Sequence, residues 1–230
     1  MRGAPAHLTD GGWCQVLANW VVTRDRPWDD RLGEWLDPGC DALVVQREVL
    51  DPASYVELWL RDAGRHSTPG YLEAYDAWLG WFESHGVEGI GFGWITLRRG
   101  GSARELLDWP HAVEQPVAPA IRDWGRAVRL EVGLDDLLVT RTDVQQETVG
   151  SPGAEDPETI VLRQQTGLRR ARRVDTVEAG LVGACDGELT LGQILDALAH
   201  LLERDRDELR AAYLPVAREL VTEGYLAPSR

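Results

Sequence analysis

An α/β sheet followed by a smaller α+β region that ends in a winged-helix-like module is predicted by three observations. Strand-like and helix-like segments alternate from Trp13 to Leu97, all ten Trp lie between Trp13 and Trp124, and apolar residues recur at helical spacing after Asp175. The Trp distribution marks two cores of different make-up. Between them, Pro110, Pro116 and Pro119 and the break at Gly150-Ser-Pro-Gly153 punctuate the chain. The expected division is 1–109, a connecting β-rich region 110–174, and a module 175–230.

The first strand is Trp13 to Thr23, apolar and β-branched after the Gly11-Gly12 turn, and its pattern predicts a buried strand. Pro27 to Leu36 reads as a helix with Pro27 in its first turn and Trp28, Leu32 and Trp35 on one face. Ala42 to Leu50 is a second strand, and Asp51-Pro52 caps a helix carrying Tyr55, Leu58 and Trp59. Tyr71 to His85 is amphipathic, with Leu72, Tyr75, Leu79 and Phe82 as its stripe, and Val87 to Leu97 closes the set as a third strand. Further on, strands are expected at Ala127 to Glu131, Asp143 to Val149 and Thr159 to Gln165. Thr190 caps a helix carrying Leu191, Ile194, Leu195, Leu198 and Leu202. A last helix with Leu209, Tyr213, Val216 and Leu220 stops at Gly224, and Pro215 inside it predicts a kink or a late start. Tyr225-Leu226 then begins a wing-like strand.

Composition narrows the chemistry. At 230 residues and 43% hydrophobic the chain can bury a real core. All 24 basic residues are Arg, which excludes a Walker-type phosphate loop, a Schiff-base enzyme and a pyridoxal-phosphate enzyme, each of which needs a lysine. The net charge of −14 repels polyanions unless basic residues are concentrated locally. Cys14, Cys40 and Cys185 are too few and too far apart for a disulfide framework or a metal clip, so a reducing cytoplasm is expected. No apolar run has the length of a membrane span, and none reads as a signal peptide.

Few residues stand out as site candidates. The five His show no metal-ligand spacing, and no metal site is expected. Asp29-Asp30 and Asp135-Asp136 read as helix-start partners rather than as an acid and base. Asn19, Trp20 and Arg24 lie at the carboxyl end of the first strand, the edge where open α/β sheets bind ligands. They are the substrate-side candidates, with Trp20 also readable as core. Arg163, Arg169, Arg170, Arg172 and Arg173 form the basic concentration, with no acid from Arg163 to Arg173. They read either as RNA phosphate contacts or as a solvated face. From Asp186 onward nine Asp/Glu face five Arg, which argues against DNA reading by the module and for protein contact. Glu88-Gly-Ile-Gly-Phe-Gly93 spells an acidic residue and a glycine pattern, but strand-like Trp-Ile-Thr-Leu follows it, so these glycines are expected to thin a strand where something packs closely.

Gly11-Gly-Trp-Cys-Gln-Val-Leu-Ala-Asn-Trp20 resembles the fifth strand of a class I S-adenosylmethionine-dependent methyltransferase, and Ala42 to Leu50 and Val87 to Arg98 resemble the sixth and seventh. The similarity continues through Val144-Gln-Gln-Glu147, Pro152-Gly-Ala-Glu-Asp-Pro157, Leu162-Arg-Gln164, Gly167-Leu-Arg-Arg170 and Asp186-Gly-Glu-Leu189. That succession is similar to the carboxyl-terminal part of actinobacterial methyltransferases related to the HemK-like group. The resemblance implies a partial Rossmann-like sheet made of late strands only. It implies methyl transfer to a nitrogen of a protein or RNA, with S-adenosylmethionine as cofactor. The cofactor loop and the Asn-Pro-Pro-aromatic motif of that family have no counterpart here, so no catalytic residue is assigned and the chain alone is expected to be inactive. Its missing amino-terminal half, or a second copy, is the partner expected at an exposed sheet edge. The alternative is a non-catalytic module that binds a protein.

Overall fold

The computed structural model describes residues 3–65, 67–151 and 157–229. His66 and most of the segment from Pro152 to Pro157 lie outside the described residues. The chain divides into two compact units, Met1–His111 and Ala112–Arg230.

The first unit is a four-stranded sheet with helices on both faces. Its strands are β1 (Trp13–Thr23), β2 (Cys40–Leu50), β3 (Val87–Arg99) and β4 (Arg104–Asp108), in the order β1-β3-β2-β4. β3 is antiparallel to both β1 and β2, and β4 joins β2 in parallel. Because side chains alternate along a strand, β1 and β3 each feed two clusters. On one face Trp20, Val44, Ile95 and Leu97 pack with Leu32 of α1 (Trp28–Gly33) and with Leu36. On the other, Ile90 and Val87 pack with Val56 and Leu60 of α2 (Pro52–Asp62) and Phe82 of α3 (Tyr71–Ser84). Asp51 caps α2 by accepting from Ser54 N at 3.0 Å, as the Asp-Pro signal predicts.

The expectation that β1 is buried is corrected. It is an edge strand whose odd-numbered side chains Trp13, Gln15, Leu17 and Asn19 are exposed, Leu17 by 85%. Its even-numbered face is the one packed in the cluster with Trp20. The stripe expected on α3 is also shifted: Tyr71, Tyr75, Leu79 and Phe82 pack inward, while Leu72 is exposed.

The two edges of this sheet differ in chemistry. β4 is short and carries Arg104, Glu105 and Asp108, the charges that discourage further pairing. β1 runs for 11 residues without one charge or proline.

The glycine pattern from Gly89 to Gly93 lies inside β3, as its context predicts. A Cβ at Gly91 would overlap Gln46 Oε1 and stand 2.5 Å from Trp20 Nε1. One at Gly93 would overlap the Val45 carbonyl oxygen and stand 2.9 Å from Trp20 Cη2. The indole of Trp20 therefore lies against backbone that only glycine leaves open. We expect Gly93→Ala to destabilise this unit by about 2 kcal/mol, the usual cost of overpacking a core. A lowered urea midpoint of the Trp fluorescence checks it, and an unchanged midpoint contradicts it.

The second unit contains α4 (Ala118–Ala127), β5 (Leu137–Thr140), β6 (Val144–Val149), β7 (Thr159–Gln164) and β8 (Ala171–Val174). It continues with α5 (Thr176–Ala184), β9 (Asp186–Thr190), α6 (Leu191–Leu201), α7 (Arg206–Glu223) and β10 (Leu226–Pro228). β6-β7-β8 is one antiparallel sheet, and β10-β5-β9 is another. Leu138, Ile160, Leu162 and Val174 share a core with Leu181, Leu195, Leu209, Leu220 and Tyr225. The stretches 110–174 and 175–230 thus contribute to one apolar cluster.

Local signals hold here in several places. Thr190 accepts from Gln193 N at 3.2 Å while Gln193 Oε1 accepts from Thr190 N, a capping box. Gly224 ends α7 with φ 86°, the left-handed conformation that glycine adopts without strain. Pro215 lies inside α7, which runs unbroken from Arg206 to Glu223. The strand expected at Ala127 to Glu131 is absent: α4 ends at Ala127 and its capping turn follows. Pro119 sits in the first turn of α4, where a missing N–H costs nothing, and Ile121 and Trp124 are buried on one face.

Candidate functional site

At the carboxyl end of β1 an open pocket of about 610 Å3 wraps around the free edge of the strand. Such volumes fall in the range of small-molecule sites. Trp20 contributes from the α1-covered face and Trp35 from the turn after α1. Asn19 and Val21 contribute from the opposite face of β1, Tyr55 from α2, and Trp78, Trp81 and Phe82 from α3.

The structure brings two of the three substrate-side candidates to this pocket. Trp20 is 4% exposed, donates from Nε1 to Gln46 Oε1 at 2.8 Å, and stacks on Trp28 with centroids 5.7 Å apart. Gln46 in turn donates to Asp108 Oδ1 at 3.2 Å. With its one donor engaged, Trp20 is a wall rather than a polar contact. Asn19 is exposed and donates from Nδ2 to Tyr55 Oη at 3.2 Å. Arg24 does not line the pocket. It is 81% exposed and pairs with Glu88 Oε1 at 2.7 Å.

Tyr55 is the residue that sequence reasoning missed. Its ring meets Phe92, Phe82, Trp59 and Trp78 at centroid distances from 5.7 to 6.3 Å. Burial raises its phenol pKa, against hydrogen bonds from Trp59 and Asn19, so at neutral pH the hydroxyl keeps its proton. A signal for the pocket was present in α3: Trp78 and Trp81 lie outside the expected stripe, which is more apolar surface than one helix face needs.

The five arginines read as one cluster do not form one surface. Arg163 pairs with Glu147 through two contacts, at 2.7 and 3.1 Å, and Arg173 donates to the Glu158 carbonyl. Arg169 is exposed in the turn before β8, at φ 53°. Arg170 is 9% exposed. Arg172 is held by Glu178 at 2.9 Å, Glu219 at 3.1 Å and Glu223 at 3.2 Å. Burial acts against its charge, but the carboxylates of Glu223, Glu178 and Glu219 outweigh it and raise its pKa. Adjacent residues of a strand face opposite ways, so Arg172 and Arg173 are parted by the pleat.

Asp29 and Asp30 sit in the first turn of α1, and Asp136 accepts from Gly133 N at 2.7 Å, both structural uses. Among the described residues no group of three or more His, Cys, Asp or Glu is placed to hold a metal ion. Among the described residues Cys14, Cys40 and Cys185 form no disulfide. No helix among the described residues is long and apolar enough to cross a membrane.

With this geometry in place, the sequence comparisons bear on the second unit. Residues 120–228 match the model of a domain of unknown function, DUF7782. The match covers nearly all of the second unit and none of the first, so the pocket lies outside the DUF7782-like region. No curated protein matches the chain.

Proposed function

We propose that the first unit is the late-strand part of a class I S-adenosylmethionine-dependent methyltransferase acting on a nitrogen of a protein or RNA, with the second unit as an accessory region. The strand order carries this reading. β1 and β2 are mutually parallel, and β3 lies between them antiparallel to both, an arrangement compatible with reading them as the fifth, sixth and seventh strands of that family. In the second unit, α5, β9, α6, α7 and β10 follow in the order helix, strand, helix, helix, strand, which supports the winged-helix-like reading of its end.

The residues present do not fit the cofactor. The acidic residue and glycines of Glu88 to Gly93 lie within β3, with Gly91 and Gly93 against Trp20 and Gln46, and no helix amino terminus follows them to receive a ligand. The contribution proposed for this chain is to hold the acceptor at the pocket, since positioning accounts for much of such a rate. The free edge of β1 is where the cofactor-binding half would pair.

Two measurements test the reading. Calorimetric titration of the chain with S-adenosylmethionine should show no micromolar binding, and a micromolar Kd overturns the assignment of β3. The reading frame upstream of Met1 should encode a glycine loop and an Asn-Pro-Pro-aromatic motif. A stop codon with a ribosome site directly before Met1 would overturn the methyltransferase reading in favour of a protein-binding module.

A further inference from the structure

We infer that the pocket at the end of β1 takes an unphosphorylated planar nitrogen heterocycle of the nucleobase class, stacked on indole walls and read by Asn19 and Tyr55. In treating the pocket as the acceptor side, the inference rests on the reading above. Three observations carry it.

The first is the wall chemistry. Trp20, Trp35, Trp78 and Trp81 line a volume of about 610 Å3, and the last three are 41 to 51% exposed, so a ring entering the pocket covers indole that is now wet. Flat π-surfaces of this kind favour a flat partner.

The second is the polar pair. Tyr55 Oη accepts from Asn19 Nδ2, a bond that does not use the Tyr55 proton, so the hydroxyl can donate to a ligand in the pocket. Asn19 Oδ1 remains as an acceptor beside it. A donor and an acceptor side by side match the edge of a base that presents a ring nitrogen next to an amino group. An apolar ligand would leave both unmet.

The third is charge. α3, which supplies much of the lining, carries Glu73, Asp76 and Glu83 and no basic residue. Arg24 is held outside the pocket by Glu88, and Arg31, whose guanidinium is engaged by the Val21 carbonyl, is not a lining residue either. A phosphate is therefore repelled while a neutral nucleoside is not.

The test is an indole-fluorescence titration of the full chain with adenosine, cytidine and adenosine monophosphate. Adenosine should give saturable quenching with a Kd of about 1 mM, as expected for one stacked base and a small polar edge. Cytidine should bind more weakly because it stacks less area. The monophosphate should bind more weakly than adenosine, with a gap that narrows as salt is added. S-adenosylmethionine should gain nothing over adenosine. Asn19→Leu should weaken adenosine about tenfold while leaving the urea midpoint unchanged, since Asn19 is exposed. Trp78→Leu supplies a second variant that removes stacking and keeps the polar pair.

Failure to quench, equal binding by Asn19→Leu, or tighter binding of the monophosphate overturns the inference. Adenosine binding together with a stop codon upstream keeps the site and removes the methyltransferase reading. An upstream cofactor domain without adenosine binding does the reverse.

Discussion

Replacing Arg172 by alanine should destabilise the second unit by about 3 kcal/mol, because it leaves three carboxylates facing one another without their cation. Glu178 is only 8% exposed and its carboxylate accepts from Asp175 N in the capping box, so it cannot swing into water without giving up that half of the box. Glu219 and Glu223 lie on α7, so the same substitution also loosens the tie between β8 and that helix. The check is chemical denaturation followed by circular dichroism. Arg173→Ala, whose recorded contact is a backbone carbonyl at 3.4 Å, is the control and should change stability by less than about 0.5 kcal/mol. Equal midpoints for the two variants would mean that the Arg172 network contributes nothing net. The comparison also separates structure from binding: a loss of RNA association in Arg172→Ala reports unfolding and not a lost phosphate contact.

Urea should unfold the two units in separate steps, the first unit earlier. Its apolar clusters are small and lie on opposite faces of a sheet whose edge strand is uncovered, and Trp13, Leu17, Trp35, Trp59, Leu72, Trp78 and Trp81 all remain exposed. The second unit has one continuous core that ties its sheets to α5, α6 and α7. A difference of about 2 kcal/mol, at slopes of roughly 1 to 3 kcal/mol per molar urea, separates the midpoints by about 1 M. Trp fluorescence should change first, with helical dichroism persisting beyond it. Trp124 belongs to α4 of the second unit and is buried, so a Trp124→Phe background makes the fluorescence a report on the first unit alone. Coincident transitions by both probes in that background would mean a single cooperative unit.

The features legible in the sequence are those set by local chemistry. Asp51, Thr190 and Gly224 announce helix ends because a cap is a contact between near neighbours. The glycines at 91 and 93 were legible as a place where something packs, although nothing in the sequence names Trp20 as the occupant. The parts that were not legible depend on distant partners. The run of arginines reads as one patch because sequence spacing hides the pleat, and because Glu178, Glu219 and Glu223 reach Arg172 from other elements. β4 pairs with β2 across a long separation, and its five residues carry too weak a pattern to stand out. Tyr55 was read as part of a helix face, and its role at the pocket arises only once α2 is laid over the end of β1.

The unequal edges of the first sheet give it a direction of growth. One side is closed by a short strand bearing Arg104, Glu105 and Asp108, while the other offers eleven residues of uncharged backbone. Among the described residues the β1 edge is the one whose chemistry favours a strand supplied in trans, by a natural partner or by a designed peptide. Its end at the carboxyl terminus of β1 would arrive beside Asn19 and close the open flank of the pocket. Extension of the sheet along β1 and covering of the pocket's open flank would thus be one event, and a strand too short to reach Asn19 would lengthen the sheet without enclosing anything.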